Sequence, residues 1–280
     1  MITNEEIQAF ADEGTVVLRQ VLTKAEVESL QQAVAFVMNN PGPLSIQLSS
    51  EDNPSDFTED FRRWNDHKSI ERVACHSSLP KIASLLTKSS VIRFHHDHIL
   101  TRSVRNQQRT PWHQDTPYWP IEGEQIASAW ISLDHLSKEE CLEYVAGSHR
   151  GTMYDGFSPS KVSEDPTAPH YGDQLPPLPD IEADREVYDI RSWEIAPGDV
   201  IFAHPGVLHG GGPTGPDSRR RAITIRLYGD DLCYASRPPT RPTVPLTPGL
   251  SLSLNPGDPL RSPWYPRIRP IPAHIRAEWE

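Results

Sequence analysis

The sequence predicts a mainly β protein with helices in its N-terminal part, an α+β arrangement whose core is an antiparallel sandwich or jelly roll. From about residue 91 onward, short runs rich in β-branched and aromatic residues alternate with Pro and Gly. Before residue 90, two segments instead combine helix-start signals with apolar residues at helical spacing. At 280 residues, an all-β core of this kind is expected to form one domain, 1–280.

The helical signals come first along the chain. Thr3 and Thr23 each stand three residues before a glutamate, which is the capping-box pattern that opens a helix. The second helix then has an apolar face at Val27, Leu30, Val34 and Val37. Residues 16–18 predict a short strand between the two helices. Residues 1–90 are therefore expected to be mainly helical support for the sheet.

The β part is expected over residues 91–232. Its last run alternates cleanly, with Ile223, Ile225 and Leu227 on one face and Arg220, Ala222, Thr224, Arg226 and Tyr228 on the other. A guanidinium and a hydroxyl would therefore point together into the interior. The predicted strands are 91–101, 127–133, 142–146, 199–203 and 221–228.

Two Pro-rich segments accompany this core. Residues 151–193 are too long and polar for an ordinary connection and are interpreted as a lid-like insertion. Residues 233–280 contain seven prolines from Pro238 to Pro259 and are interpreted as an extended C-terminal arm.

Charge and cysteine content limit the partners. The net charge of −11 argues against a nucleic-acid partner, because phosphate binding needs a concentrated basic surface. The three cysteines are widely spaced and predict neither disulfides nor a thiolate zinc site. No apolar run is long enough to span a bilayer. We therefore expect a cytoplasmic protein with no membrane partner, present as a monomer or homodimer.

The segment His113-Gln114-Asp115 is the strongest chemical signal. An imidazole and a carboxylate two residues apart share one face of a strand, and His209, followed by three glycines, can supply a third ligand. Two histidines and one carboxylate hold Fe(II) while leaving adjacent coordination positions open. His95-His96-Asp97 offers the same spacing, but no independent partner follows it, and His95 and Asp97 are expected on the face opposite His96 and His98.

Arg220 follows His209 by eleven residues. A guanidinium binds a carboxylate through two hydrogen bonds and does not lose its charge. This suits the far carboxylate of 2-oxoglutarate, and the hydroxyl of Thr224 on the same face can add a hydrogen bond.

Taken together, His113-x-Asp115, His209 and Arg220 resemble the phytanoyl-CoA dioxygenase family of Fe(II)/2-oxoglutarate oxygenases. Segments 130–134, 143–150 and 197–204 carry the same likeness. The resemblance implies a double-stranded β-helix, that is, a cupin-like jelly roll. One departure is Gly211, which stands where family members often have Ser or Thr.

The resemblance also implies a set of roles. His113, Asp115 and His209 would bind Fe(II), Arg220 would form a salt bridge to 2-oxoglutarate, and O2 would be the oxidant. Further cosubstrate contacts would involve Gln114, Trp130, Thr224 and the strand containing His98 and Thr101. Because the carboxylate ligand Asp115 is present, halogenation is disfavoured.

The expected activity is oxidation of an unactivated C–H bond in a small organic substrate, with release of succinate and CO2. Hydroxylation is the simplest outcome. Tyr118, Trp119 and Arg226 are candidate substrate contacts, and Arg226 could instead pair with Asp230 or Asp231. The alternatives are a cupin-like metalloprotein with non-oxygenase chemistry and a catalytically silent, metal-stabilised binding protein.

Overall fold

A computed structural model describes residues 2–50, 53–102, 109–155, 174–215, 218–237, 254–263 and 265–269. Part of the lid-like segment (156–173) and the prolines between 238 and 253 lie outside these ranges. The helices are α1 Asn4–Glu13, α2 Lys24–Asn39, α3 Lys68–His76 and α4 Leu79–Leu86. The strands are β1 Thr15–Leu18, β2 Ile46–Ser50, β3 Asn53–Phe61, β4 Ile92–Arg102, β5 Thr110–His113, β6 Ile121–Glu122, β7 Ile126–Ser132, β8 Leu142–Val145, β9 Ile190–Arg191, β10 Val200–Ala203, β11 His209–Gly211, β12 Arg220–Tyr228, β13 Cys233–Tyr234 and β14 Arg267–Arg269.

Two antiparallel sheets form the core. The larger has eight strands in the order β1-β10-β7-β12-β4-β3-β2, with β14 also paired to β4, and the smaller has the order β5-β11-β8-β9. A third, two-stranded sheet joins β13 to β6. The predicted mainly β, α+β class is confirmed, and in the described part of the chain the two larger sheets form an open jelly-roll sandwich that does not close into a barrel.

The outer face of the large sheet packs against the helices. Both predicted capping boxes are present, with Thr3 and Thr23 accepting hydrogen bonds from the backbone of Glu6 and Glu26. The expected apolar face of α2 is buried in one cluster with Ile223, Ile225 and Leu227 of β12. Burial of these alternating residues leaves the other face of β12 toward the small sheet, as its period of two predicts.

The space between the two sheets is lined by residues from both. Trp130 of β7, Ile201 of β10 and Ala222 of β12 share a buried cluster with Tyr144 of β8. The inner face of the large sheet therefore looks directly onto β11 and β8. This is the position in which a side chain from one sheet can meet a ligand held by the other.

Residues 46–61 were not predicted as strands. They form a hairpin, β2–β3, whose second strand pairs with β4 from Phe57↔Arg102 to Phe61↔His98. The segment is polar and lacks the apolar alternation of a half-buried strand. Its conformation is fixed by pairing with the free edge of β4, a long-range contact that no local pattern reveals.

The prediction for His95 was wrong. A β-bulge in β4 places His96 opposite Arg226 and Phe94 opposite Leu227, so His95 is the extra residue. His95 consequently lies with His96, Trp119 and Tyr265 rather than on the opposite face. Asp97 does lie on the opposite face, where its carboxylate accepts hydrogen bonds from the backbone of Arg63 and Trp64.

The described C-terminal residues return to the core. Strand β14 pairs with the start of β4, and Tyr265 is buried with Tyr228. None of the described helices is both long and apolar enough to cross a membrane.

Candidate metal centre

His113, Asp115 and His209 converge at the inner surface of the small sheet. His113 and His209 are register partners on β5 and β11, and their ring centroids are 4.2 Å apart. One potential ligand atom from each of the three residues lies within 4.8 Å of the others. His113 is buried and the other two are partly buried. The structure thus brings together the three residues that the sequence singled out.

Asp115 reaches this place by a different route from the one predicted. Strand β5 ends at His113, and Asp115 adopts an αR conformation at the start of a 3₁₀ turn, Thr116–Tyr118. Its backbone N–H donates to the carbonyl oxygen of Pro205 at 2.8 Å, which fixes the turn against the approach to β11. The turn, and not strand alternation, therefore directs the carboxylate toward His113, with Oδ1 3.7 Å from Nε2.

Both histidines are held in one tautomer. The Nδ1 of His113 lies 2.8 Å from the carbonyl oxygen of Pro111, and the Nδ1 of His209 lies 3.0 Å from that of Val207. Because a carbonyl oxygen can only accept, each Nδ1 carries the proton and each Nε2 keeps its lone pair. This is the arrangement by which proteins orient imidazole ligands toward a metal.

The electrostatic surroundings of His113 and Asp115 favour binding of a cation. Burial, reinforced by the neighbouring His209, lowers the pKa of His113 to about 4, so its ring is neutral near pH 7. Burial by itself would raise the pKa of Asp115, but Arg226 and the two histidines outweigh it and hold the pKa below its usual value. The Asp115 carboxylate is therefore ionised while the His113 imidazole is neutral, which is the protonation state that a divalent metal requires of these two ligands.

Arg220 lies on the inner face of β12 and is buried. Its Nη1 donates to the carbonyl oxygens of Glu140 at 2.7 Å and Gly212 at 3.2 Å. Burial lowers its pKa to about 10, which still leaves it charged at neutral pH. Among the described residues no carboxylate forms an ion pair with it, so the guanidinium is a buried cation suited to receive an anion.

Three further predicted contacts form one row across the inner face of the large sheet. Thr224 of β12 is paired with Trp130 on one side and His98 on the other. Thr224 and Trp130 are close to fully buried, whereas His98 is partly exposed. His98 is stacked on Phe61 and lies 3.5 Å from Glu59 through its Nε2. The expectation that His98 points inward is consistent with this register.

Two predicted cosubstrate contacts do not face the triad. The hydroxyl of Thr101 contacts the sulfur of Met38 on α2 at 3.3 Å, so Thr101 lies on the outer face of β4. It is three residues after His98, and an odd number of residues along a strand places two side chains on opposite faces. The amide of Gln114 is used by the backbone, since Nε2 donates to Gly206 and Thr152 and Oε1 accepts from Tyr154. Gln114 therefore connects the loops around the candidate metal centre through hydrogen bonds and does not line it.

The candidate substrate contacts are buried beside the triad. Arg226 lies 3.5 Å from Asp115, between Nη2 and Oδ2, and its guanidinium sits over the Trp119 ring at 4.9 Å. The suggested pairing of Arg226 with Asp230 or Asp231 was wrong. Asp230 lies near Arg93 and Arg261, and Asp231 accepts from the backbone of Glu124 and Gln125. Tyr118 packs into an adjoining aromatic cluster.

Sequence reasoning missed Arg102 and Glu59. Arg102 is directly opposite Arg220 in the sheet and is also buried. Counting two-residue steps along β4 from His98 would have placed it on the inner face. Glu59 had no such signal, because the strand that carries it was not recognisable in the sequence.

Comparison with known proteins places this geometry in a family. The sequence model of phytanoyl-CoA dioxygenase (PhyH) matches residues 10–222. Human peroxisomal phytanoyl-CoA dioxygenase is 22% identical over 248 residues, which covers 84% of this chain and 70% of the human protein. A probable phytanoyl-CoA dioxygenase of Caenorhabditis elegans is 31% identical over 127 residues, 45% of this chain, but the match spans only 38% of that protein.

Solved structures show the same fold. The non-haem α-ketoglutarate-dependent carbocyclase SnoK from nogalamycin biosynthesis superposes with a TM-score of 0.73 at 21% identity, covering 95% of this chain and 96% of that one. The epimerase SnoN, in complex with Fe3+, α-ketoglutarate and nogalamycin RO, gives a TM-score of 0.74 at 19% identity, covering 95% of this chain and 98% of that one. EctD from S. alaskensis, with 2-oxoglutarate and 5-hydroxyectoine, gives 0.63 at 20% identity, covering 81% and 76%. With its sequence matched over most of its length, this chain belongs to the phytanoyl-CoA dioxygenase family, a family of Fe(II)- and 2-oxoglutarate-dependent oxygenases.

Proposed function

We propose that this protein hydroxylates an unactivated C–H bond of a small organic molecule, using Fe(II), 2-oxoglutarate and O2 and releasing succinate and CO2. The observation that carries the proposal is the pairing of two features between the sheets. One is a His-Asp-His set whose potential ligand atoms converge within 4.8 Å. The other is the buried Arg220, hydrogen-bonded to the carbonyl of Gly212 just after His209.

The donor set fits a divalent iron. Two neutral imidazoles and one ionised carboxylate are the ligands that non-haem Fe(II) takes in oxygenases, and three protein ligands leave positions for a chelating cosubstrate and oxygen. His113, Asp115 and His209 would hold the metal. Bound there, iron would supply the oxygen activation that no protein side chain can provide.

Arg220 would bind the far carboxylate of 2-oxoglutarate. Its Nη1 is already anchored on two carbonyl oxygens, so the guanidinium is held in a fixed orientation before the cosubstrate arrives. Thr224, Trp130 and His98, which line the same inner face, would form the wall of the cosubstrate site. Tyr118 and Trp119 would form the apolar side of the substrate site.

The test is an anaerobic titration with Fe(II) and 2-oxoglutarate, followed by the weak visible absorption of a metal-chelated keto acid. The wild-type protein is expected to develop this band. His209→Ala should lose it, because the third ligand is gone. His135→Ala is the matched control, since His135 is exposed and contacts only Glu194 among the described residues.

Retention of the band in His209→Ala would remove His209 from the ligand set. Absence of the band in wild-type protein with iron bound would favour a cupin-like metalloprotein without oxygenase chemistry. A cytoplasmic location and a monomeric or homodimeric state are further proposals. Cys75, Cys141 and Cys233 are all free, which supports a reducing compartment.

A further inference from the structure

Arg226 is a buried cation whose hydrogen-bonding capacity is largely unused. It lies on the inner face of β12 with 6% of its surface exposed. Its Nη2 is 3.5 Å from Asp115 and 3.5 Å from the Nδ1 of His98, both at the outer limit of a hydrogen bond. Its Nε and Nη1 are buried and have no hydrogen-bond partner among the described residues.

The neighbours of Arg226 stabilise its buried guanidinium only in part. A guanidinium keeps its charge under physiological conditions, and burying it without close partners costs free energy. Asp115 is its nearest carboxylate, but in the proposed function Asp115 shares its charge with the metal. Arg63 shows what a satisfied buried arginine looks like in this fold, because it forms direct ion pairs with Asp60 and Asp66. Arg226 has only the longer, 3.5 Å contact with Asp115, so its Nε and Nη1 remain available to a second anion.

The surroundings of Arg226 hold it in place. The Trp119 ring covers one face of the guanidinium at 4.9 Å from the centroid. On the neighbouring strand β7, Ser128 is the register partner of Arg226, so the two side chains are adjacent on the inner face. The Ser128 hydroxyl is also buried without a hydrogen-bond partner among the described residues. Two unsatisfied donor groups are thus presented side by side next to the metal centre.

We propose that Arg226 and Ser128 together bind a carboxylate of the organic substrate, so that the substrate class is a small carboxylic acid. This inference rests on the proposed function. One guanidinium and one hydroxyl match the charge and the acceptor atoms of a monoanion, whereas a phosphate dianion would bring excess negative charge into a buried site. The carboxylate would anchor the substrate with the reacting carbon near the metal, because Arg226 contacts the ligand Asp115.

The experiment measures binding, so that it does not depend on turnover. Protein loaded with Zn(II) and saturating 2-oxoglutarate is titrated, with ligand-observed NMR, against matched pairs of carboxylic acids and their primary amides. Suitable pairs are phenylacetate with phenylacetamide, indole-3-acetate with its amide, and cyclohexanecarboxylate with its amide. Saturating 2-oxoglutarate keeps the Arg220 site filled, so any further acid binding reports on a second anion site.

Wild-type protein is expected to bind at least one acid at least ~10-fold more tightly than its amide, the size typical of a hydrogen-bonded charge pair. Arg226→Gln should abolish the preference and still bind 2-oxoglutarate, because the Arg220 site is intact. Ser128→Ala should reduce the preference for acids several-fold while the contact between Arg226 and Asp115 remains. This variant tests the proposal if Arg226→Gln does not fold. Arg219→Gln, an exposed arginine just before the same strand, is the control for net charge.

Equal binding of acids and amides by the wild type would overturn the proposal. So would an Arg226→Gln protein that loses 2-oxoglutarate as strongly as the acids, because Arg226 would then serve the cosubstrate. If Ser128→Ala keeps the full preference, Ser128 has no part in the site. Failure of the wild type to bind 2-oxoglutarate would count against the proposed function, and the acid–amide comparison on protein with Zn(II) alone would still decide the role of Arg226.

Discussion

At the scale of single residues, the site depends on charged side chains held in the interior, and one of them, Arg220, has no carboxylate partner among the described residues. Asp115 is surrounded by Arg226, His113 and His209, and Arg220 is held by carbonyl oxygens rather than by a carboxylate. Such groups are costly in an empty site, and they are retained where a ligand completes them. The free energy of unfolding should accordingly be sensitive to whatever fills the space between the sheets.

Replacing Arg220 with Gln is expected to weaken 2-oxoglutarate binding by ~10-fold or more, because a charge-assisted hydrogen bond is lost. Metal binding should be preserved, since the triad is untouched. Isothermal titration of the Mn(II)-loaded protein measures both. Arg219→Gln, which removes a neighbouring exposed charge, should bind like the wild type. Unchanged affinity in Arg220→Gln would show that another group holds the cosubstrate.

His204 provides a pH-dependent contribution to stability. Burial, together with the nearby His149, lowers its pKa to about 4 from an ordinary 6.5. The unfolded chain therefore takes up a proton first as pH falls, so stability is lost between about pH 6.5 and pH 4, by at most ~3 kcal/mol. His204→Asn keeps an acceptor for the Gly206 N–H that His204 now binds. Its free energy of unfolding should fall less steeply over this range, as measured by urea denaturation at several pH values; parallel curves would contradict the assignment.

At the scale of elements, strand β11 lies between β5 and β8 and is closely packed against both. A Cβ on Gly210 would meet the carbonyl oxygen of Thr110 at 2.9 Å, and one on Gly211 would meet Leu142 at 2.9 Å. A serine or threonine at the position of Gly211 would therefore have no room here unless Leu142 moved. Glycine at positions 210 and 211 is therefore explained by the close packing of β11 against β5 and β8 as much as by a turn.

Gly212→Ala is expected to be among the most destabilising single changes in the protein. Its Cβ would lie 1.8 Å from the carbonyl oxygen of Glu139, which is backbone and cannot rotate away. A loss of ~3 kcal/mol or more follows from forced displacement of the chain. Gly151→Ala is the matched control, because its Cβ would meet only Ser148 at 3.4 Å and its φ of −99° suits alanine. Thermal denaturation of both variants makes the comparison, and similar melting temperatures would refute this account of the glycine.

At the scale of the whole molecule, the triad joins segments that are far apart in sequence. His113 lies on β5, the first strand of the small sheet in chain order, and Asp115 follows two residues later. His209 lies on β11, the last strand of that sheet in chain order, and Arg220 lies on the large sheet. A bound metal and cosubstrate would therefore tie both sheets together. Ligands that bind only the folded state should stabilise all of it.

Adding Mn(II) and 2-oxoglutarate together is expected to raise the melting temperature, by the equivalent of ~3 kcal/mol at 100 times the dissociation constant. Chelation should reverse the shift. His209→Ala should show little of it, whereas His135→Ala should show all of it. Differential scanning calorimetry gives the values, and equal stabilisation of His209→Ala would place the metal elsewhere.

The sequence by itself determined the fold class and singled out the three candidate metal ligands and Arg220. Period-two alternation in β12 and the unusual residue types of His113, Asp115 and His209 are local properties, readable without a structure. Resemblance to a known family then supplied the jelly roll. Apart from Asp115, which lies in the turn that follows β5, these residues lie in strands whose burial follows directly from their own side chains.

Only the tertiary structure decided how side chains meet across strands. A bulge turned His95 inward, and a 3₁₀ turn directed the Asp115 carboxylate toward His113. The contact of Arg226 with Asp115 likewise joins positions 111 residues apart. Register shifts and long-range pairing depend on which edges become available as the chain folds, and a single residue's displacement reverses the face of every residue beyond it. Local periodicity carries no information about such events.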